Sequence, residues 1–339
     1  MKNNKPKKQN VRIAQNLAEC NAVTHSGTFH GDDVMACAIL SLVENEVSLI
    51  RTRDYDTICE KRADHRATIF DVGGRYDPSH NMFDHHQNSF KRTRDDGMPY
   101  ASSGLLWEHY GEDILLSLYD CPKEYVKDVC ERVDRVLIRG IDARDYGIEP
   151  NSFSLSITGL VSLYNPLPGS RESQDDQFIQ ITEIVKKALK RVILYSIAAE
   201  KEKRLVKECV DNITDTSTQV LVLPREYIGW QSTVVNMDSD IAKRLKFVIF
   251  ENEEFKRYDV MALTLDTSIY QDEEKLYRQN FPEEWKGLNA PHLAEVTNVK
   301  TALFCHKNGK RAAAETKEDA IKLADLAISW EPTPKPTES

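Results

Sequence analysis

Histidine and aspartate crowd the first half of this 339-residue chain. Six of the nine histidines fall between His25 and His86, and four of those six stand beside an aspartate or two residues from one. The segment THSGTFHGDD holds His25, His30, Asp32 and Asp33, Asp71 ends the apolar run from Ala67 to Phe70, and Asp84, His85 and His86 are consecutive. Asp142 and Asp145 follow in GIDARDYG. Imidazole nitrogens mixed with carboxylate oxygens favour Mn²⁺, with Mg²⁺, Co²⁺ or Zn²⁺ compatible, and the only nearby thiol, Cys37, argues against a structural zinc. Two such ions about 3.5 to 4 Å apart, bridged by a carboxylate, would activate water and clamp the attacking and leaving oxygens of a phosphoryl group. Phosphoester hydrolysis is the reaction this inventory suits best.

Each position also has a plain structural reading. Asp32 is as well placed to cap a helix N-terminus, accepting backbone N–H bonds, as to bind a metal. Asp71 at the end of a buried strand is costly unless paired, hydrogen-bonded or metal-bound, and an Asx-turn with Gly73 is its alternative. Adjacent histidines in an extended segment point to opposite sides, so one of His85 and His86 can enter a site while the other lies on its rim or meets substrate. A surface triplet without a role is the alternative there. Spacing i, i+3 puts Asp142 and Asp145 on one helical face, where Arg139 or Arg144 could pair with them instead.

These residues need elements that bring them together. Asn21 to His30 reads as a short strand and loop, followed by a helix whose apolar spacing comes from Met35, Cys37, Ala38, Leu42 and Val43. Strands are predicted at Val47 to Thr52 and at Ala67 to Val72, the second just before the Gly73-Gly74 turn. Helical patterns resume at Ser103 to Leu118 and Lys123 to Ile138. That order is α/β with a mostly parallel sheet, in which ligands collect at the carboxyl ends of strands. Beyond Asp145, Pro150, Pro166 and Pro168 break the pattern before a long polar helix that begins near Asp175 and runs to Asp211. Its charged residues, Lys186 and Glu200 among them, read as solvated surface. Short strands at Gln219 to Leu223, Lys246 to Phe250, Asp259 to Leu265 and Thr301 to Cys305, with a closing helix from Lys317 to Ser329, make a smaller α+β domain. There is no internal repeat, Walker loop, nucleophile elbow or Rossmann glycine signature.

Composition narrows the class. With 40% hydrophobic and 29% charged residues the chain is an ordinary globular one, and no apolar run approaches the roughly 20 residues that cross a bilayer. Seven scattered cysteines without a C-x-x-C argue against a disulfide framework and for a reducing compartment. A net charge of −9 makes broad attraction to nucleic acid unfavourable, so any such contact must be local; Arg51, Arg53, Lys91, Arg92 and Arg94 could form a phosphate track. The first ten residues carry four lysines and read as a basic disordered tail. Being short and lacking clear amphipathic spacing, they favour the cytoplasm over a mitochondrial or nuclear location.

The motifs resemble the DHH phosphoesterase superfamily and, within it, the melanocyte-proliferating-gene (MYG) family of metal-dependent hydrolases and exonucleases. The resemblance is carried by THSGTFHGDDVMACAIL, RTRD, DVGGRYDPSHNMFDHHQNSF, YASSGLLWEHYG, IDARDYG, EEWKGL and FCHKNG, and covers the chain from about Val23 to Ser329. It implies a DHH-type catalytic domain over residues 20–170, a helical linker over 171–212, a smaller α+β substrate-binding domain over 213–331 and a disordered tail over 332–339, with the active site in the cleft between domains. Carried over by position, His25, His30 and Asp32 are the first metal ligands, Asp71 the bridging carboxylate, His85 the ligand from the triplet, and Asp142 or Asp145 the last. Asp84 and His86 are then the catalytic pair, with His86 facing substrate phosphate. The implied cofactor is a pair of divalent cations, Mn²⁺ first.

Where the family has H-N-G-T-F-H-C-D-E, this chain has Ser26, Gly31 and Asp33. Asp145-Tyr146-Gly147 replaces Asp-Asn-Gly, and Ala312-Ala313 replaces a late Gly-Gly that approaches substrate, where added methyl groups could obstruct a backbone contact. The leading expectation is a 3′-to-5′ exonuclease on RNA or short oligonucleotides. A small-molecule phosphatase acting on pyrophosphate or a nucleotide, and a weakened metal- and ligand-binding protein, are the alternatives.

Overall fold

The computed structural model describes residues 10–148, 156–265 and 277–330. The basic segment before Asn10 and the tail 332–339, both expected to be disordered, lie outside the described residues, as do residues 149–155 of the Pro- and Gly-rich stretch. The chain divides into two compact units, Met1–Ile197 and Ala198–Ser339. The division falls inside the segment 171–212 expected to be a linker.

The first unit is built on six strands: β1 (Asn10–Ile13), β2 (Ala22–Thr24), β3 (Glu46–Arg51), β4 (Thr68–Phe70), β5 (Tyr76–Asp77) and β6 (Met82–Phe83). They lie in the order β1-β3-β2-β4-β6-β5. All pair in parallel except β5 with β6. Ala22-Val23-Thr24 and Thr68-Ile69-Phe70 are buried throughout, as central parallel strands covered on both faces must be. Six helices follow in chain order: α1 (Gly31–Val43), α2 (Tyr55–Asp64), α3 (Ser102–Leu118), α4 (Val126–Val133), α5 (Arg139–Asp145) and α6 (Ile157–Leu163), with a π segment, Asp134–Ile138, joining α4 to α5. α1 is buried from Gly31 to Leu42, because α3, α5 and α6 pack against it as well as β3. A helix apolar on every side is stable only in such a setting.

α7 (Gln174–Asp211) is a single helix of 38 residues. Phe178, Ile181, Val185, Leu189, Ile193 and Ile197, spaced by three or four, join the core of the first unit, whereas Val206 and Val210 join a core of the second. Two of its charged residues depart from the solvated face expected of them. Lys186 and Glu200 are buried, Lys186 against Glu183 at 2.5 Å and Glu200 against Lys203 at 3.0 Å.

Among its described residues the second unit has five strands, β7 (Val220–Leu223), β8 (Phe247–Asn252), β9 (Arg257–Ala262), β10 (Ala302–Cys305) and β11 (Arg311–Ala314), in the order β10-β11-β9-β8-β7. Of these described strands only β7 and β8 pair in parallel. Its helices are α8 (Trp230–Val235), α9 (Asp240–Arg244), α10 (His292–Thr297) and α11 (Lys317–Ser329). Alternation along the strands separates two cores. Phe247, Ile249, Val260 and Ala262 meet Ala320, Leu323, Ala324 and Ala327 of α11, while Leu221, Leu223, Val248 and Phe250 meet Trp230 and the end of α7. Ala312 belongs to the core beneath α11, and Ala313 is equally buried. No helix among the described residues is long and apolar enough to cross a membrane.

Candidate metal centre

Three neighbouring parallel strands, β2, β4 and β6, end at Thr24, Phe70 and Phe83, so His25, Asp71 and Asp84 emerge side by side at their carboxyl ends. The first turn of α1 adds Asp32 and Asp33, and α5 adds Asp145. Asp71 turns back sharply, with φ of 56°. That left-handed conformation is uncommon outside glycine but tolerated by Asp and Asn.

The side chains converge. His25 Nε2 lies 3.2 Å from Asp71 Oδ2 and 3.3 Å from Asp33 Oδ2. His85 reaches Asp145 Oδ2 through Nε2 at 3.0 Å and Ser102 Oγ through Nδ1 at 3.2 Å. The His86 ring stacks on His85 at 4.3 Å between centroids, and its Nδ1 lies 2.7 Å from Asp84 Oδ1 and 3.6 Å from Asp71 Oδ1. Four overlapping groups have ligand atoms within 4.8 Å of one another: Asp71, Asp84, His85 and His86; His25, His30 and Asp71; His30, Asp32 and Asp145; Asp32, Asp33 and Asp71. Asp71 is common to three of the four.

The electrostatics call for a cation. Burial, then the neighbouring carboxylates Asp71, Asp145 and Asp33, push the Asp32 carboxyl well above its usual range. Burial pushes Asp33 up to about 7, against the pull of His25. Both oxygens of Asp32, Asp33 Oδ2 and Asp71 Oδ1 are buried without a hydrogen-bond partner. Buried polar atoms in folded proteins are nearly always satisfied, and divalent ions are the groups that satisfy several carboxylates at once. The residues present therefore fit such a cation. Around this core, burial alone would raise Asp84 and Asp145; His86 and the Gly74 N–H hold Asp84 low, and His85 holds Asp145 low. Asp84, being hydrogen-bonded to His86, in turn raises the His86 imidazole.

Of the residues expected from the sequence, His25, His30, Asp32, Asp71, Asp84, His85, His86 and Asp145 are brought together, and Asp142 is not. Asp142 is fully buried, accepting from Ser103 Oγ at 2.6 Å and the Gly104 N–H at 3.1 Å and facing Arg94 Nη2 at 2.8 Å. A side chain at Gly104 would collide with its carboxylate. Asp33, present in the sequence inventory but not among the ligands expected from it, joins the cluster. It caps α1, accepting from the N–H groups of His30 at 2.8 Å and Val34 at 2.9 Å, and thereby leaves Asp32 free to face the cluster. The signal for it was the pattern of an acid three residues after His30 at a helix start. The Asx-turn expected as the alternative for Asp71 is not seen: its Oδ1 has no hydrogen-bond partner and its Oδ2 faces His25 Nε2.

Three of the five cations expected on a phosphate track are committed elsewhere. Arg51 is buried, bonds the Gly27 carbonyl at 2.6 Å and Asp175 at 3.2 Å, and stands over Phe178. Arg53 donates to the Ser26 carbonyl at 3.1 Å, and Arg94 is held by Asp134 and Asp142. Gly31 packs so closely on α6 that a Cβ would lie 2.5 Å from Thr158 Cγ2.

A family model with the short name MYG1_exonuc, described as uncharacterised protein family UPF0160, matches residues 21–328. The chain belongs to this family, as its motif blocks imply. It is 27% identical to the MYG1 protein of Dictyostelium discoideum, over 93% of this chain and 98% of that one. It is 26% identical to the MYG1 exonuclease of Mus musculus, over 92% of this chain and 86% of that one. Superposition on a solved pGpG-specific phosphodiesterase, PggH of Vibrio cholerae, gives a TM-score of 0.30 at 14% identity over 91% of this chain and 98% of that one, too low to bear on fold or function.

Proposed function

We propose that the protein is a metal-dependent phosphoesterase acting as a 3′-to-5′ exonuclease on RNA or short oligonucleotides. The observation that carries this reading is the set of buried, unpartnered carboxylate oxygens on Asp32, Asp33 and Asp71, converging with His25 at the ends of parallel strands. His25, His30, Asp32, Asp33, Asp71, His85 and Asp145 would hold one or two divalent cations, Mn²⁺ first. Bound there, such ions supply Lewis-acid stabilisation of phosphoryl charge and a more acidic water. The chain's own part is to position and to donate. Asp84 fixes the His86 ring at Nδ1, and the half-exposed ring is free to meet a phosphate oxygen through its other nitrogen. His85 is locked between Ser102 and Asp145. The exonuclease named among the relatives supports the choice of a nucleic acid over other phosphoesters.

The test incubates metal-stripped protein with a short 5′-labelled RNA, with and without Mn²⁺, beside Asp71→Asn. Stepwise shortening that needs both the metal and Asp71 is expected. Turnover of pyrophosphate or a nucleotide without an RNA ladder would replace this reading with a small-molecule phosphatase. Metal binding with no turnover of either would replace it with a binding protein.

A further inference from the structure

We infer that the first unit carries a distinct subsite for one nucleoside monophosphate unit, in the pocket between the turn after Asp71 and the loop after His86. The inference rests on the phosphoesterase reading of the adjoining centre. The pocket has a volume of about 240 Å³, below the roughly 300 to 1,000 Å³ of sites for larger ligands. At that size it cannot enclose more than one nucleotide unit.

Charge is the first argument. Arg75, Lys91 and Arg92 line the pocket and no carboxylate does, in a chain whose net charge is −9. Arg75 and Arg92 each keep one acidic partner, Asp77 at 2.6 Å and Glu108 at 2.8 Å, while Lys91 forms no ion pair among the described residues. Lys91 is the cation left to meet a phosphate. The second argument is aromatic. The rings of Tyr76 and Phe90 meet edge to face at 5.7 Å, both half-buried, and the Arg92 guanidinium stands 5.2 Å from the Tyr76 centroid. Ring and guanidinium planes at a pocket wall are the surfaces on which bases stack.

A third observation is a missing partner. Gln87 Nε2 donates to the Asp84 carbonyl at 3.0 Å, but Gln87 Oε1 is buried with nothing bonded to it. An acceptor left this way is costly until a ribose hydroxyl or a base N–H reaches it. Two bonds tie the wall to the metal centre, because the Gly74 N–H donates to the Asp84 carboxylate and Gln87 Nε2 to the Asp84 carbonyl. A nucleotide seated here is either the end of an oligonucleotide or a free mononucleotide.

The test is calorimetric titration of adenosine monophosphate into the full chain in EDTA. Saturable binding is expected, weakened about tenfold or more by Lys91→Glu and by Ser89→Trp, which fills the exposed rim. No saturable binding, or binding indifferent to both pocket variants, overturns the inference. In Mn²⁺ with a short RNA, Lys91→Glu should raise KM more than it lowers kcat. Wild-type protein that binds the mononucleotide at this pocket but cleaves nothing keeps the subsite and removes the exonuclease reading. Displacement of the mononucleotide by RNA identifies the occupant as a chain end; its retention in the presence of RNA identifies a free nucleotide.

Discussion

Arg94 Nη2 lies 2.8 Å from the carboxylate of Asp142, and this pairing separates Asp142 from Asp145 one helical turn later. Burial raises Asp142 to about 6 even though Arg94 pulls the other way, so the acid depends on its partners to stay charged. Arg94→Met should cost about 3 to 5 kcal/mol in denaturant unfolding, the scale for removing one member of a buried pair. A loss under about 1 kcal/mol, as for a surface pair, would contradict the structural role given to Asp142.

Asp145→Asn and Asp71→Asn should behave in the opposite way. Each should lower metal-dependent cleavage by more than about 100-fold, since even outer-shell partners of a metal site cost about 10- to 100-fold. In EDTA Asp71→Asn should not melt below wild type. Asparagine accepts the left-handed backbone at position 71, and losing a carboxylate there relieves repulsion on Asp32 and Asp33. A lower melting temperature for Asp71→Asn in EDTA would mean that Asp71 is a structural residue.

The pH dependence of the metal-free protein follows from Asp33. Its carboxyl is raised by burial from 3.8 to about 7 in the folded chain, so the folded state holds a proton that the unfolded state has lost. That contribution to stability is complete below about 3.8 and fades as pH rises through about 7. Thermal scans in EDTA should therefore show a melting temperature that falls over this window, and stabilisation by added Mn²⁺ that grows over it. A gain from Mn²⁺ that is independent of pH would argue against binding by these carboxylates.

Arg51 should act on the metal without touching it. It holds the His25–His30 loop through the Gly27 carbonyl while Asp175 holds the guanidinium. Arg51→Met should weaken Mn²⁺ affinity about 10- to 100-fold, and Arg51→Lys should not restore it, because one ammonium does not reproduce the planar fork. Unchanged affinity in both variants, measured on protein that remains folded, would sink the positioning role.

Much of this centre is legible in the sequence because the residues that do the chemistry also end the elements. Apolar runs closing on His25 and Asp71 mark β2 and β4, and the Asp84-His85-His86 triplet follows β6 directly. What could not be read depended on distant partners. Asp142 and Asp145 share a helical face, and only Arg94, far back in the chain, decides between them. Asp32 and Asp33 are both acids at a helix start, and the division of labour between cap and cluster is set by where the turn of α1 lies. α2, with the sequence YDTICEKRAD, lacks a continuous apolar face and was not anticipated. β11 reads Arg-Ala-Ala-Ala, a helical composition, and is a strand because β9 and β10 pair with it on both sides.

The length of α7 is inherited under a constraint that its surface composition hides. Each residue of an α-helix turns the next by about 100°. Deleting one residue between Ile181 and Val185 would swing Val185, Leu189, Ile193 and Ile197 that far around the axis relative to Phe178 and Ile181, which serve the same core. Among descendants of this gene, gaps should therefore gather in the connecting loops, and the stretch from Phe178 to Ile197 should change its exposed letters freely while keeping its count.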